Sequence, residues 1–247
     1  MNTRLLLTTA FLCFPLLGGA QEQDVLPLKS EPHHHLVLHN DFVNVYSVQV
    51  SPHDSVALHK HDVDAVSIVL GDAVITVKSP GKPDVHQNVM GGQLRLQRSG
   101  LVHSTDIEGD AAYRNVTVEL LLPQQGGRNL CATVISGEPL NCPDKPTQRD
   151  PTRVSEEPQF QSDQTKATLV RIPAGKSAPT GSSALPGLIV ALDEGVAISG
   201  DSGPGKLLRR GEAWWRNSNS PGQLFTNGVT TEVRLVSFTF KEENPAK

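Results

Sequence analysis

The stretch ALHKHDVDAVSIVLGDAVITV, residues 57–77, sets two histidines one residue apart at the mouth of a β-rich run, with an aspartate three positions after the second. Val, Ile and Thr dominate residues 66–77, and Gly71-Asp72 interrupts them, which reads as two short strands joined by a turn. In an extended strand, residues two apart share a face. His59 and His61 therefore present two imidazoles side by side, with Lys60 turned away. Two neutral imidazoles plus a carboxylate form a common ligand set for a first-row transition metal; the competing reading is a pair of surface histidines decorating a strand end. The carboxylate candidates are Asp62 and Asp64. If Asp64 points inward, Val66 and Ile68 do so too and Ser67 faces out; the opposite register buries Ser67. The first register gives the more apolar core, so Asp64 is expected at the site.

Outward from this stretch, residues 36–50 alternate apolar and polar around a turn at His39-Asn40-Asp41. Ser79–Asp84 is a hairpin turn, Gly91-Gly92 divides two further strands, and residues 113–123 form another. No helical period appears between 36 and 123. Short strands at frequent turns predict an all-β sandwich or barrel. Residues 143–165 are polar and Pro-rich and read as a linker. A second strand-rich half spans 166–241. The two halves align by pattern: VQVSPHDSVALHKH falls on VRIPAGKSAPTGSS at an offset of 122, and Gly92 falls on Gly211. His53, His59, His61 and His103 then fall on Gly175, Gly181, Ser183 and Gly222, an internal repeat whose second copy has lost its histidines. Trp214-Trp215 lie where a strand enters the second core, so one is expected buried and the other exposed or at an interface.

With 37% hydrophobic and 19% charged residues, 21 Gly, 18 Pro and a net charge of -4, the 247-residue chain has room for two globular domains. No Lys/Arg cluster supports a nucleic-acid or anionic-membrane partner. Residues 1–20 combine Arg4, an apolar run from Leu5 to Leu17 and small residues before Gln21, a secretory signal pattern too short to span a bilayer comfortably. A secreted or periplasmic location is expected, with no integral membrane span after its removal. Cys131 and Cys142 then remain as an even pair, read as a disulfide rather than as thiol ligands.

On these residues the chain resembles the cupin superfamily, and as a whole a bicupin. The first cupin motif, Gly-x5-His-x-His-x3–4-Glu-x6-Gly, is matched by His53, His59, His61, Asp64 and Gly71, with His for the first Gly, Asp for Glu and a spacer one residue shorter. The second, Gly-x5-Pro-x-Gly-x2-His-x3-Asn, is matched by Gly92, Gly100 and His103, with Arg98 for Pro and Ile107 for Asn. The resemblance implies two tandem antiparallel jelly-roll barrels, residues 24–125 and a degenerate 166–241, joined by the Cys131–Cys142 loop and linker of 126–165. It implies one divalent transition metal (Fe, Mn, Zn, Ni, Co or Cu) held by His59, His61, Asp64 and His103.

Two function classes stay open. One is an exported mononuclear metal enzyme, an oxygenase or isomerase acting on a small molecule, with Tyr113 and Glu119 as weak acid–base candidates. The other is a non-catalytic small-molecule-binding or structural module, monomeric or homodimeric. The stretch EPHHHLVLHN, residues 31–40, adds His33, His34, His35 and His39 and reads as a solvated lead-in to the first strand with some capacity for metal. Arg95, Arg98, Tyr113 and Arg114 are candidates for an anionic substrate, but each is expected outward-facing or at a strand edge.

Overall fold

The computed structural model describes residues 24–142, 149–179, 184–200, 203–220 and 224–241. The expected signal segment lies outside the described residues, as do Gly181, Ser183 and Gly222, the counterparts of the three histidines. Among the described residues the only helix is a single 3-10 turn, Leu28–Ser30. The first half comprises β1 (Leu26–Pro27), β2 (His34–His39), β3 (Val43–Val50), β4 (Ser55–Lys60), β5 (Ala65–Val69), β6 (Ala73–Lys78), β7 (Val85–Val89), β8 (Leu94–Gln97), β9 (Val102–Ile107) and β10 (Tyr113–Leu120). These form two sheets, ordered β1-β4-β9-β6-β7 and β2-β3-β10-β5-β8. The second half comprises β11 (Arg128–Asn129), β12 (Ser155–Gln161), β13 (Thr165–Ile172), β14 (Ser177–Pro179), β15 (Gly187–Ala191), β16 (Val196–Gly200), β17 (Gly203–Leu208), β18 (Ala213–Arg216), β19 (Leu224–Asn227) and β20 (Val233–Phe240). Its sheets run β11-β12-β13-β20-β15-β18 and β14-β19-β16-β17. The architecture is two antiparallel jelly-roll barrels in tandem.

The repeat is visible strand for strand. β13 starts at residue 165, 122 after β3 at 43, and β20 pairs with β13 and β15 as β10 pairs with β3 and β5. His53 and Gly175, aligned by the repeat, both adopt left-handed backbone, φ 61° and 67°. A histidine holds there a conformation that favours glycine. One difference concerns the 143–165 linker: residues 155–161 form β12, hydrogen-bonded along β13.

Each barrel has its own apolar interior, and a third cluster lies between the barrels. The outer faces of β3, β5 and β10 (Val43, Val45, Val66, Ile68, Val116, Val118) pack with Leu169, Leu188, Val190, Val236, Phe238 and Phe240 of the second barrel. The contact is pseudo-symmetric. A Cβ on Gly211 would lie 2.7 Å from Leu70, and one on Gly92 would lie 3.6 Å from Leu192 and 3.2 Å from Arg234. Arg234 forks onto Asp193 and also donates to the Gly91 carbonyl, 3.1 Å away, clamping one barrel to the other. Both tryptophans are half-buried: Trp214 packs against the second barrel's interior, and Trp215, as expected for one of the pair, lies at an interface, against Phe42 and Phe240 between the barrels.

This back-to-back packing overturns the register argument for β5. All five of its residues are buried. Val66 and Ile68 face the other barrel, while Ala65, Ser67 and Val69 face the interior of their own. A strand buried on both faces has two apolar faces to offer, so the more apolar one need not mark the barrel core.

Candidate metal centre

The histidines are aimed by an irregularity in β4. Val56 lies opposite Thr105 and His59 opposite His103, three steps on β4 against two on β9. The extra residue is a bulge at Ala57-Leu58 that reverses the inward phase, so that His59 follows Val56 into the barrel. Both polar groups of Ala57 are taken up. Its N–H donates to Glu31 Oε1 (3.1 Å), and its carbonyl accepts His59 Nδ1–H (2.8 Å). That second bond fixes the tautomer and leaves the His59 Nε2 lone pair free for a ligand.

His59, His61 and His103 converge and are all buried. His59 Nε2 lies 3.3 Å from His61 Nε2, which lies 3.1 Å from His103 Nε2. Metal–nitrogen bonds of about 2.0–2.1 Å, at tetrahedral to octahedral angles, set their nitrogens about 2.8–3.4 Å apart. Burial is the main cause that draws all three pKa values down, to about 3 for His61 and about 2 for His103. The rings are therefore neutral at pH 7, the protonation state a metal needs. Facing lone pairs at this spacing repel unless a cation or proton lies between them, so the donor set fits a first-row divalent ion.

Asp64 is not part of this group. Its carboxylate accepts from Arg98 (3.0 Å) and from the Ser99 N–H (2.8 Å), pinning the turn after β8. The next position, which does point inward, is Ala65, which has no donor atom. Its register partner on β8 is Gln97, whose buried Oε1 has no hydrogen-bond partner. Gln97 lines a void of about 30 Å³ together with His34, His59, His103, Ser67 and Tyr113.

His34 and Glu31 were not expected here. The His-rich tract is not simply solvated: Glu31 is 1% exposed, and His34 packs beside His59 with ring centroids 5.0 Å apart. Glu31 accepts from His34 Nδ1 (2.6 Å), the His33 backbone N–H (2.8 Å) and His33 Nδ1 (3.1 Å). Burial raises its pKa, but these hydrogen bonds and the one from Ala57 outweigh burial and hold it at about 2. The only hint in the sequence is an acidic residue three before a histidine at a strand start. Glu119 accepts from Asn44 and Tyr46 and pushes Tyr46 up, after burial, to about 12.

A cavity of about 570 Å³ opens beside the histidines. His103, Gln97, Arg95, Gln87 and Tyr113 face it, as do Val69, Ile75, Val77 and Val89. Arg95 is on an edge strand, β8, as one of the two expected placements had it, but it and Tyr113 face the cavity and not outward. Arg98 sits at the cavity rim in its ion pair with Asp64, and Arg114 lies on the opposite face of β10, beside Glu194 and Arg210. Thr133, Val134 and Ser136 of the loop closed by the Cys131–Cys142 disulfide complete one wall. Val134 accepts from the Leu96 N–H of edge strand β8, and the fully buried Asn129 side chain makes four hydrogen bonds that hold the loop.

No known family profile and no curated protein matches the sequence. Solved structures do match. A cupin 2 conserved barrel domain protein from Leptotrichia buccalis superposes at a TM-score of 0.52, over 84% of this chain and 88% of that one, at 10% identity. The chain has the cupin fold. It is also similar over both barrels to AerE from Microcystis aeruginosa (TM-score 0.61, 12% identity, 89% of this chain and 98% of that one) and to salicylate 1,2-dioxygenase from Pseudaminobacter salicylatoxidans (TM-score 0.56, 12% identity, 87% and 78%). Among the described residues, the group of side chains able to hold a metal, His59, His61 and His103, lies in the first barrel. Phe225, Trp214, Ile172 and Leu208 fill the second. Among the described residues no helix is long and apolar enough to cross a membrane.

Proposed function

We propose that this cupin is an exported mononuclear metal enzyme, an oxygenase acting on a small molecule in the first barrel. The observation that carries the reading is the convergence of three buried, neutral Nε2 atoms, with His103 of that group lining a cavity sized for a small organic ligand. The salicylate 1,2-dioxygenase neighbour makes oxygenation the first chemistry to test.

His59, His61 and His103 would hold the ion. A divalent first-row metal supplies Lewis acidity and, for redox-active ions, dioxygen chemistry. Around it the chain orients and excludes water. Ala57 O keeps the proton of His59 on Nδ1, so that Nε2 stays a donor. The ionised Glu31 takes the Nδ1–H of His34 and holds that ring at the edge of the void. Val69, Ile75, Val77 and Val89 exclude water from the cavity wall. Gln97 offers an uncharged oxygen beside His103.

The test is an anaerobic titration of the untagged chain with Fe(II), Mn(II) or Cu(II), followed by dioxygen uptake with a panel of small phenols, diketones and hydroxy acids. Uptake that the His59→Ala/His61→Ala variant lacks supports the reading. A metal-loaded protein that consumes no dioxygen with any of them overturns the oxygenase, and the non-catalytic binding module then leads.

A further inference from the structure

We propose that Arg95 is an anion-binding residue and that the ligand of the first barrel is a small organic carboxylate. The inference deepens the oxygenase reading by naming the substrate class, and it rests on that reading only in placing the ligand beside the metal.

β8 presents Leu94 to the packing between the barrels and turns Arg95 and Gln97 the other way, into the cavity. Arg95 lies opposite Ser67 in the ladder, on the same wall as Gln97 and Tyr113. No carboxylate pairs with it among the described residues. Burial lowers its pKa, and the opposing influence is the Tyr113 phenol rather than an acid. Arg98, three residues on, has Asp64, and Arg234 has Asp193. A half-buried guanidinium without an anion carries a desolvation cost that a bound anion removes, and its planar fork matches a carboxylate bidentately.

The rest of the cavity narrows the class. Gln87 and Gln97 each hold a buried amide oxygen with no partner, an acceptor for a ligand hydroxyl or N–H. Val69, Ile75, Val77 and Val89 form an apolar wall for a carbon skeleton. A carboxylate on Arg95 thus leaves the ligand's other end toward His103 and the metal position.

The test uses calorimetry on the full-length mature chain, metal-stripped and metal-loaded, with benzoate, pyruvate and malonate as probes and benzamide as the neutral isostere of benzoate. At least one carboxylate is expected to bind. Benzoate should exceed benzamide by about 10- to 100-fold, the worth of a charge-assisted pair. Arg95→Gln should remove that preference while leaving metal content and benzamide binding unchanged, and Arg95→Lys should restore part of it. Equal affinity for benzoate and benzamide overturns the proposal, as does unchanged benzoate binding in Arg95→Gln. So does the absence of binding tighter than about 10 mM by all three carboxylates. Anion binding that persists in a chain unable to hold metal refutes the metalloenzyme and leaves this site standing; the reverse result refutes this site alone.

Discussion

Adding a divalent transition metal to the stripped protein should raise its melting temperature, and His61→Ala should abolish most of the rise. At a free metal concentration about 100 times Kd, binding to the native state alone stabilises by about 2.7 kcal/mol. For a chain of this size each kcal/mol moves Tm by about 2–4 °C, so the expected shift is about 5–11 °C. His61 is one of three donors whose Nε2 atoms lie 3.1 and 3.3 Å apart. Loss of a residue that merely supports a ligand already weakens metal affinity by about 10- to 100-fold. Removing a ligand therefore brings metal at that same concentration to about Kd or below, where the stabilisation is about 0.4 kcal/mol or less and the shift at most about 2 °C. The quantity to compare is the metal-induced shift, because His61→Ala also changes the baseline by deleting a buried ring. Asp64→Asn is the control. It weakens the contacts to Arg98 and Ser99, about 1 kcal/mol, and should keep the full shift. Scanning calorimetry on untagged protein decides. A shift lost in Asp64→Asn and kept in His61→Ala would refute the assignment of donors, and no shift in the wild type would refute the centre itself.

Glu31 supplies a pH dependence. Its folded pKa of about 2 lies below the ordinary glutamate value of 4.5, so its contribution, on the order of 3 kcal/mol, is complete above about pH 4.5 and is lost as pH falls toward 2. Urea unfolding of Glu31→Gln should show a flatter loss between those limits, and a slope like the wild type would contradict the ionised-carboxylate reading. The same variant should weaken metal binding about 10- to 100-fold, since Glu31 holds the bulge that orients His59. His53→Gly should leave stability unchanged or raise it by up to about 1 kcal/mol, because φ is 61° there; a loss of 1 kcal/mol or more in chemical denaturation would argue against that backbone. Ile68→Ala should cost about 2–5 kcal/mol by opening a hole between the barrels, whereas Ser67→Ala should cost about 1 kcal/mol or less. The reverse order of urea midpoints would restore the register favoured by sequence.

The sequence by itself determined the all-β class, the repeat and the pairing of His59 with His61, because each rests on local information: turn residues, β-branched runs and the two-residue strand period. His103 was legible only through the resemblance of Gly92, Gly100 and His103 to the second cupin motif. Parity failed wherever long-range packing sets which face is inside. β5 is apolar throughout, and only the second barrel lying against Val66 and Ile68 decides that Ser67 points to the cavity and Asp64 away from the histidines. LRLQ in β8 reads as a strand with its polar face in water; the tertiary structure makes that face a cavity wall, so Arg95 and Gln97 become site residues. The bulge at Ala57 depends on Glu31, 26 residues earlier, reaching its N–H. No local pattern records such a contact, because a hydrogen bond across that separation forms only when the barrel has closed.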